Sequence, residues 1–223
     1  MDTVVEIVSK ISGKKQNQIS PKSTLRSLGI TSSIEILKIQ SALERKFNQK
    51  LSPIGDKWTI NKIAAQVGQD QSNDEEVVKV AQSQTKLSSH ETLNGSSERA
   101  EFLGSTGLYV GVDIEEIVNL PATSNYRTHD FYRSQFSNEE LSSALLRPQP
   151  MMHLCGMFCA KEALKKSAPE LIDLRMDEIK IEHQNGRPLI KTSHDSINSR
   201  FDFQVSISHS QHYAVATVLA VGR

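Results

Sequence analysis

The stretch Leu108-Tyr109-Val110-Gly111-Val112-Asp113-Ile114 marks where this chain changes character. Apolar residues recur there at a period of two, the pattern of a strand. Downstream the pattern stays mixed. Phe131–Phe136 and Ser137–Leu146 read as helices, the second opening on Ser137 with Glu140 three residues on, a capping box. Pro148 and Pro150 interrupt it, and Met151–Ser167 reads as a long helix stopped before Pro169. Ile179–His183 and Leu189–Thr192 flank Asn185-Gly186, a hairpin-turn pair. Phe203–Ser208 and Tyr213–Val221 read as two further strands, so residues 107–223 form an α+β domain.

Upstream of Leu108 the chain is helical, then structureless. Val4, Val5, Ile7, Val8 and Ile11 place an amphipathic helix over residues 3–12. A second helix carries Ile34, Leu37, Ile39, Leu43 and Phe47 inward, with Lys38, Glu44, Arg45 and Lys46 towards water. A short last helix starts near Thr59, and one further helical turn fits in Leu51–Lys57, so residues 1–68 are expected to form a small four-helix bundle. Residues 69–106 are rich in Ser, Gln, Asn, Asp and Glu without a sustained period, although Val77–Ala81 can form a helical turn. They read as a flexible linker, whose r.m.s. span as a random coil would be roughly 30–35 Å.

Bulk properties narrow the function. The 223 residues include 37% apolar and 23% charged, and no run of about 18 apolar residues is present to span a membrane. Asp2, Glu6 and Lys10 break any apolar signal core, and two cysteines make no disulfide framework, so a cytoplasmic location is expected. The formal net charge is zero, which argues against nucleic acid as the main partner. That charge is uneven: residues 1–68 carry 11 Lys and Arg against 5 Asp and Glu, net +6, and residues 108–223 carry 12 against 14, net −2.

Three short motifs carry chemistry. In Gly111-Val112-Asp113-Ile114-Glu115 the two acids share one strand face, about 6–7 Å apart, with Val112 and Ile114 expected to pack inward. Such a pair suits a hard divalent cation, or else is a solvated strand face. In Phe158-Cys159-Ala160-Lys161-Glu162-Ala163-Leu164-Lys165-Lys166, Glu162 and Lys166 lie one helical turn apart. They form an ordinary ion pair or a metal ligand beside a phosphate clamp. Cys155 and Cys159 share that spacing, but with no second pair they read as core. In Ser206-Ile207-Ser208-His209-Ser210, hydroxyls and an imidazole can donate to phosphate oxygens, or make a turn. Neither G-x-S-x-G nor H-E-x-x-H is present, which removes two hydrolase readings.

In this order and spacing, G-V-D-I-E, F-C-A-K-E-A-L-K-K and S-I-S-H-S resemble the 4′-phosphopantetheinyl transferases over residues 108–221, and Asn185-Gly186-Arg187-Pro188 matches a turn of that family. The length is close to the small holo-acyl carrier protein synthase type. The resemblance implies transfer of the phosphopantetheine arm of coenzyme A to a serine of an acyl carrier protein, releasing 3′,5′-adenosine bisphosphate, in fatty acid or polyketide biosynthesis. It implies that Asp113 and Glu162 hold Mg²⁺, with Glu115 a third carboxylate, and that Lys166 clamps a pyrophosphate oxygen. Lys161, Ser208 and His209 are then cofactor contacts, and Asn185, Gly186, Arg187 and Pro188 border the adenosine. A metal-bound water or a carboxylate, Glu162 for preference, takes the serine proton. Met157 stands where many relatives carry Arg, which removes one phosphate contact. The small type forms trimers with sites between subunits, so a homo-oligomer is implied.

Residues 3–67 resemble an acyl carrier protein, through I-S-P-K-S-T-L-R-S-L-G-I, A-L-E-R-K-F and T-I-N-K-I-A. Carrier proteins bear the arm on the serine of L-G-x-D-S-L, whereas this chain has Leu28-Gly29-Ile30-Thr31-Ser32-Ser33-Ile34, with no Asp. Counting from Leu28-Gly29 selects Ser32, and counting back from Ala42-Leu43-Glu44 selects Ser33. Ser33 is preferred, because the apolar stripe sets a helix's register while a loop absorbs an insertion. Ser32 can also be only the helix cap. The opposite net charges suggest that the two domains suit each other, with the fused carrier as cognate substrate or docking module. The alternative is a non-catalytic protein that binds carrier or coenzyme A.

Overall fold

The structure is a computed structural model and describes residues 1–68 and 107–223. The expected linker over 69–106, with its helical turn at Val77–Ala81, lies outside the described residues. In the N-terminal part, α1 (Asp2–Ser12), α2 (Ser33–Phe47) and α3 (Ile60–Val67) pack around Val4, Val8, Leu25, Ile39, Leu43, Ile60 and Ile63. Thr59 caps α3 by accepting from the Lys62 amide. Residues 1–68 hold no fourth α-helix, only two short 3-10 turns at Gln16–Gln18 and Arg26–Leu28. The Leu51–Lys57 segment, with Pro53 and Gly55, is a loop anchored by buried Leu51 and Ile54. Its backbone is satisfied from outside rather than by a helix of its own: the Leu51 and Ile54 amides donate to the Glu44 and Gln40 side chains, and Asp56 O accepts from the Arg26 amide.

The C-terminal part is built on β1 (Leu108–Glu116), followed by α4 (Asp130–Gln135), α5 (Asn138–Leu145) and α6 (Pro150–Ser167). Then come β2 (Ile179–Gln184), β3 (Arg187–Thr192), α7 (Asp195–Arg200), β4 (Phe201–His209) and β5 (Tyr213–Gly222). The strands β1, β5 and β4 form one antiparallel sheet in that order, and β2 with β3 is a separate hairpin. Asn185 (φ 52°) and Gly186 (φ 79°) close the hairpin, both in the left-handed region that a primed two-residue turn needs. The expected capping box is present, Ser137 accepting from the Glu140 amide and Glu140 from the Ser137 amide. The short α7 has no counterpart in the expected elements.

The long helix α6 lies across the sheet and is buried on nearly every side from Leu154 to Leu164. A helix so enclosed needs no polar stripe. Its approach to β1 is set by Gly111, where a Cβ would lie 1.9 Å from the Ala163 carbonyl oxygen. This contact reverses the expected phase of β1. Gly111 and Asp113 face α6 and are buried, while Val110, Val112 and Ile114 turn outward and are more than half exposed. Only the face bearing a residue without a side chain admits the helix so closely, and alternation sends the valines the other way. Their partners across the register, Val215, Thr217 and Leu219, share that outer face.

The two parts touch along α2. Ile34 and Leu37 join the same apolar cluster as Leu120, Phe131 and Tyr132, not the cluster inside the bundle. Glu44, expected in water, is buried, and Phe47, expected inside, is exposed. Replacement Gly111→Ala is expected to lower the unfolding free energy by about 2–3 kcal/mol through overpacking, measured by urea denaturation of the full chain.

Candidate active site

The site starts where β1 passes beneath α6. Asp113 is nearly buried, and its Oδ1 accepts from Lys166 Nζ at 2.6 Å. Its Oδ2 is buried and has no hydrogen-bond partner among the described residues. Glu162, on the same side of α6, is buried, with Lys165 Nζ 3.8 Å from its Oε1. Burial raises the Glu162 carboxyl above the usual carboxylate range, and the charges of Asp113 and Glu115 add to this against the opposing Lys165 and Lys166. Burial works to lower the Lys166 ammonium, but the Asp113 hydrogen bond and charge outweigh it and hold the group above its ordinary value. Three ionisable groups from a strand and a distant helix segment therefore share one partly desolvated spot. Glu115 sits at its rim, its Oε1 accepting from Asn119 Nδ2 at 2.7 Å and from the Glu116 amide at 3.0 Å.

Among the described residues, no three His, Cys, Asp or Glu side chains converge as a ready-made metal cage. The expected three-carboxylate set thus reduces to Asp113 and Glu162, with Glu115 tied to Asn119. The unpartnered Asp113 oxygen beside a desolvated Glu162 is the donor chemistry a hard divalent cation takes, provided that ligand and water oxygens supply the rest.

Lys161 is not a cofactor contact. Its Nζ is fully buried and donates to Gln135 O at 2.7 Å, Glu140 Oε2 at 2.8 Å and Met176 O at 3.0 Å, which uses all three ammonium protons. Burial lowers its pKa, and Glu140 opposes this. The helical pitch places Lys161 on the far side of α6 from the sheet, so it ties α6 to α4 and α5. Cys155 and Cys159 are buried free thiols, as core residues would be.

A cavity of about 260 Å³ opens beside α6, lined by Arg147, His153, Met157, His183, Gly186, Pro188 and His209. His153 and His209 meet edge to face with centroids 5.7 Å apart. Burial, then the neighbouring Arg147, His209 and His183, hold the His153 pKa below the ordinary imidazole value. Of the expected cofactor residues, Gly186, Pro188 and His209 line this cavity, while Asn185 and Arg187 are exposed outside its wall. Ser208 does not belong to it. Alternation along β4 turns Ser208 to the outer sheet face opposite Val215, away from His209. Arg147, His153 and His183 were missed from the sequence. They lie on a loop, a helix and a hairpin with no shared spacing, and the only available signal was a cation count near the family turn. At 100° per residue, Glu162 lies about 180° round α6 from His153. Within one chain the carboxylates and this cavity therefore face different ways.

At the start of α2, Ser32 takes the N-cap position but makes no side-chain capping bond, and Ser33 is the first helical residue. Both are half-buried.

Residues 109–218 match the 4′-phosphopantetheinyl transferase superfamily, and residues 2–54 match the phosphopantetheine attachment site family. A holo-[acyl-carrier-protein] synthase of Chlorobaculum parvum is 32% identical over 113 residues, 49% of this chain and 95% of that protein. One from Protochlamydia amoebophila is 31% identical over 114 residues, 49% of this chain and 93% of the relative. The crystal structure of the Thermotoga maritima holo-[acyl-carrier-protein] synthase aligns with a TM-score of 0.44 at 24% identity, over 52% of this chain and 64% of that one. The chain belongs to the 4′-phosphopantetheinyl transferase superfamily and carries a phosphopantetheine-attachment-type module ahead of its transferase. It is an enzyme of the holo-[acyl-carrier-protein] synthase class.

Lys161→Met leaves the Glu140 carboxylate buried without its partner, which is expected to cost about 3–5 kcal/mol. Denaturation midpoints check this, and the Michaelis constant for coenzyme A of the protein that remains folded should stay unchanged.

Proposed function

We propose that this chain moves the 4′-phosphopantetheine arm of coenzyme A onto a serine of an acyl carrier protein, and that its own N-terminal module is a cognate acceptor at Ser33. The observation that carries this reading is the meeting of Asp113, Glu162 and Lys166 under α6, with one Asp113 oxygen unpartnered. Asp113 and Glu162 would hold Mg²⁺, which when bound offsets negative charge on the pyrophosphate oxygens. Lys166, now paired with Asp113, is placed to turn to a pyrophosphate oxygen once that carboxylate is otherwise engaged. The serine oxygen attacks the phosphorus that bears the pantetheine arm, and a new P–O bond forms. The bridging P–O bond breaks, and 3′,5′-adenosine bisphosphate leaves with the electron pair. Glu162, at the edge of the same spot, takes the serine proton. Arg147, His153, His183 and His209 offer cationic and hydrogen-bonding groups to the nucleotide phosphates, and Arg147 lines the same cavity as Met157.

The cavity and the carboxylates face different ways around α6 of a single chain, which supports sites completed between copies. The outer face of β1 and β5, with exposed Val110, Val112 and Ile114, supplies an apolar surface for that assembly, and a trimer is the proposed state. Among the described residues no helix is long and apolar enough to cross a membrane, and a cytoplasmic setting fits a coenzyme A substrate.

Two measurements test the reading. Incubated with coenzyme A and Mg²⁺, the full chain is expected to gain the mass of one phosphopantetheine arm, and Asp113→Asn to slow this on the order of 10²–10³-fold. A chain that binds coenzyme A but labels neither itself nor a separate acyl carrier protein would be the non-catalytic binder instead. Val112→Asp is expected to convert the trimer to monomers in sedimentation and to abolish transfer with it.

A further inference from the structure

The seam between α2 and the transferase is built from both ends of the helix. At its C-terminal end, Arg175 Nη1 lies 2.8 Å from Glu44 Oε1 and also donates to the Leu51 carbonyl. Both side chains are largely shielded, at 15% and 8% exposure. Glu44 accepts from the Leu51 amide and from Gln40 as well, so Arg175 plugs into a polar knot inside the carrier module. Arg45 pairs with Asp130 at 2.9 Å and Lys50 with Asp177 at 2.5 Å. In the middle, Ser41 Oγ and Ser134 Oγ are 2.5 Å apart, and Gln135 Nε2 donates to Ser41. Towards the N-terminal end, Leu37 and Ile34 enter the transferase's apolar cluster, and Lys38 Nζ donates to Asn119 O at 3.0 Å. Asn119 in turn donates to Glu115, at the end of the strand that carries Asp113.

Towards its start, α2 is thus linked through Lys38 and Asn119 to Glu115, at the rim of the carboxylate site. Ser33 precedes Leu37 by four residues, about 40° away round the helix, whereas Ser32 is about 140° away. The face that docks is therefore the face nearer Ser33. An interface with packed apolar residues, a buried hydroxyl network and three ion pairs of consistent register is a recognition surface, not an incidental contact. Because both partners belong to one polypeptide, docking through this seam is an intramolecular event.

We infer that the transferase recognises its acceptor serine through this α2 seam within the same chain, with Arg175 and Glu44 as the determining pair. The inference rests on the proposed transfer to Ser33. A separate carrier would need the same seam and is excluded while the module is docked.

Self-labelling of the full chain with coenzyme A and Mg²⁺ provides the test, followed by intact mass. The first-order rate constant is expected to stay constant over about a hundredfold range of chain concentration. Arg175→Glu should slow labelling by about tenfold or more. Since that variant leaves Glu44 buried and unpaired, the exposed Arg45–Asp130 pair gives an independent arm. Arg45→Asp or Asp130→Arg alone should slow labelling severalfold, and the double exchange should restore it. A chain with Ser33→Ala, mixed and subunit-exchanged with an Asp113→Asn chain, should leave the latter unlabelled on the wild-type time scale. A rate constant proportional to concentration, labelling of that mixture at the wild-type rate, or wild-type rates in all the seam variants would overturn the inference while leaving the transfer itself intact. A wild-type chain that never gains mass would instead remove the proposed transfer to Ser33 and the inference with it.

Discussion

The arrangement depends on how closely α6 can lie on β1. Gly111 removes the side chain that would collide with the Ala163 carbonyl, and the backbone of the strand then runs directly under the helix. Two positions along, Asp113 is brought beneath Glu162 and Lys166 in a region with little water. Carboxylates placed together there repel each other and lose hydration, which a cation or a bound proton relieves. Lys166 serves for one Asp113 oxygen and leaves the other unpartnered. The apposition of helix and strand thus creates an electrostatic demand that the chain by itself meets only in part.

A second buried cation has the opposite character. Lys161 is adjacent to Glu162 in sequence, yet its three donors are all satisfied by Gln135, Glu140 and Met176. It joins α4, α5 and the turn at Met176–Glu178 to α6. The same turn continues to the carrier module, since Arg175 and Asp177 flank Met176 and pair with Glu44 and Lys50. The frame that holds α6 in place and the surface that receives α2 are therefore neighbours on one stretch of chain. Arg175 stays charged because the loss of hydration on burial is outweighed by Glu44 and Asp177.

The element pattern was largely legible. Helix periods, the Ser137 capping box and the Asn185-Gly186 turn are local, and local rules place them. The motif residues Asp113, Glu162 and Lys166 were legible as a set, and they do come together. Other readings failed for reasons of packing. Val112 and Ile114 were assigned inward because they are apolar, but the close approach at Gly111 claims the opposite face. The family resemblance implied a cofactor contact for Lys161, and only the location of three acceptors reveals why this lysine is buried. Ser208 was grouped with His209 by adjacency, although adjacent strand residues face opposite ways.

Local sequence alone determined where most of the helices, turns and strands lie, because backbone propensity and short spacings act over a few residues. Tertiary structure decided which face of β1 is buried, that Lys161 is a tie, that Arg147 and three imidazoles share a cavity, and that α2 lies on the transferase through Arg175. Each of these is a contact between residues far apart in the chain. Its energy depends on the burial and charge of both partners, which no single segment contains.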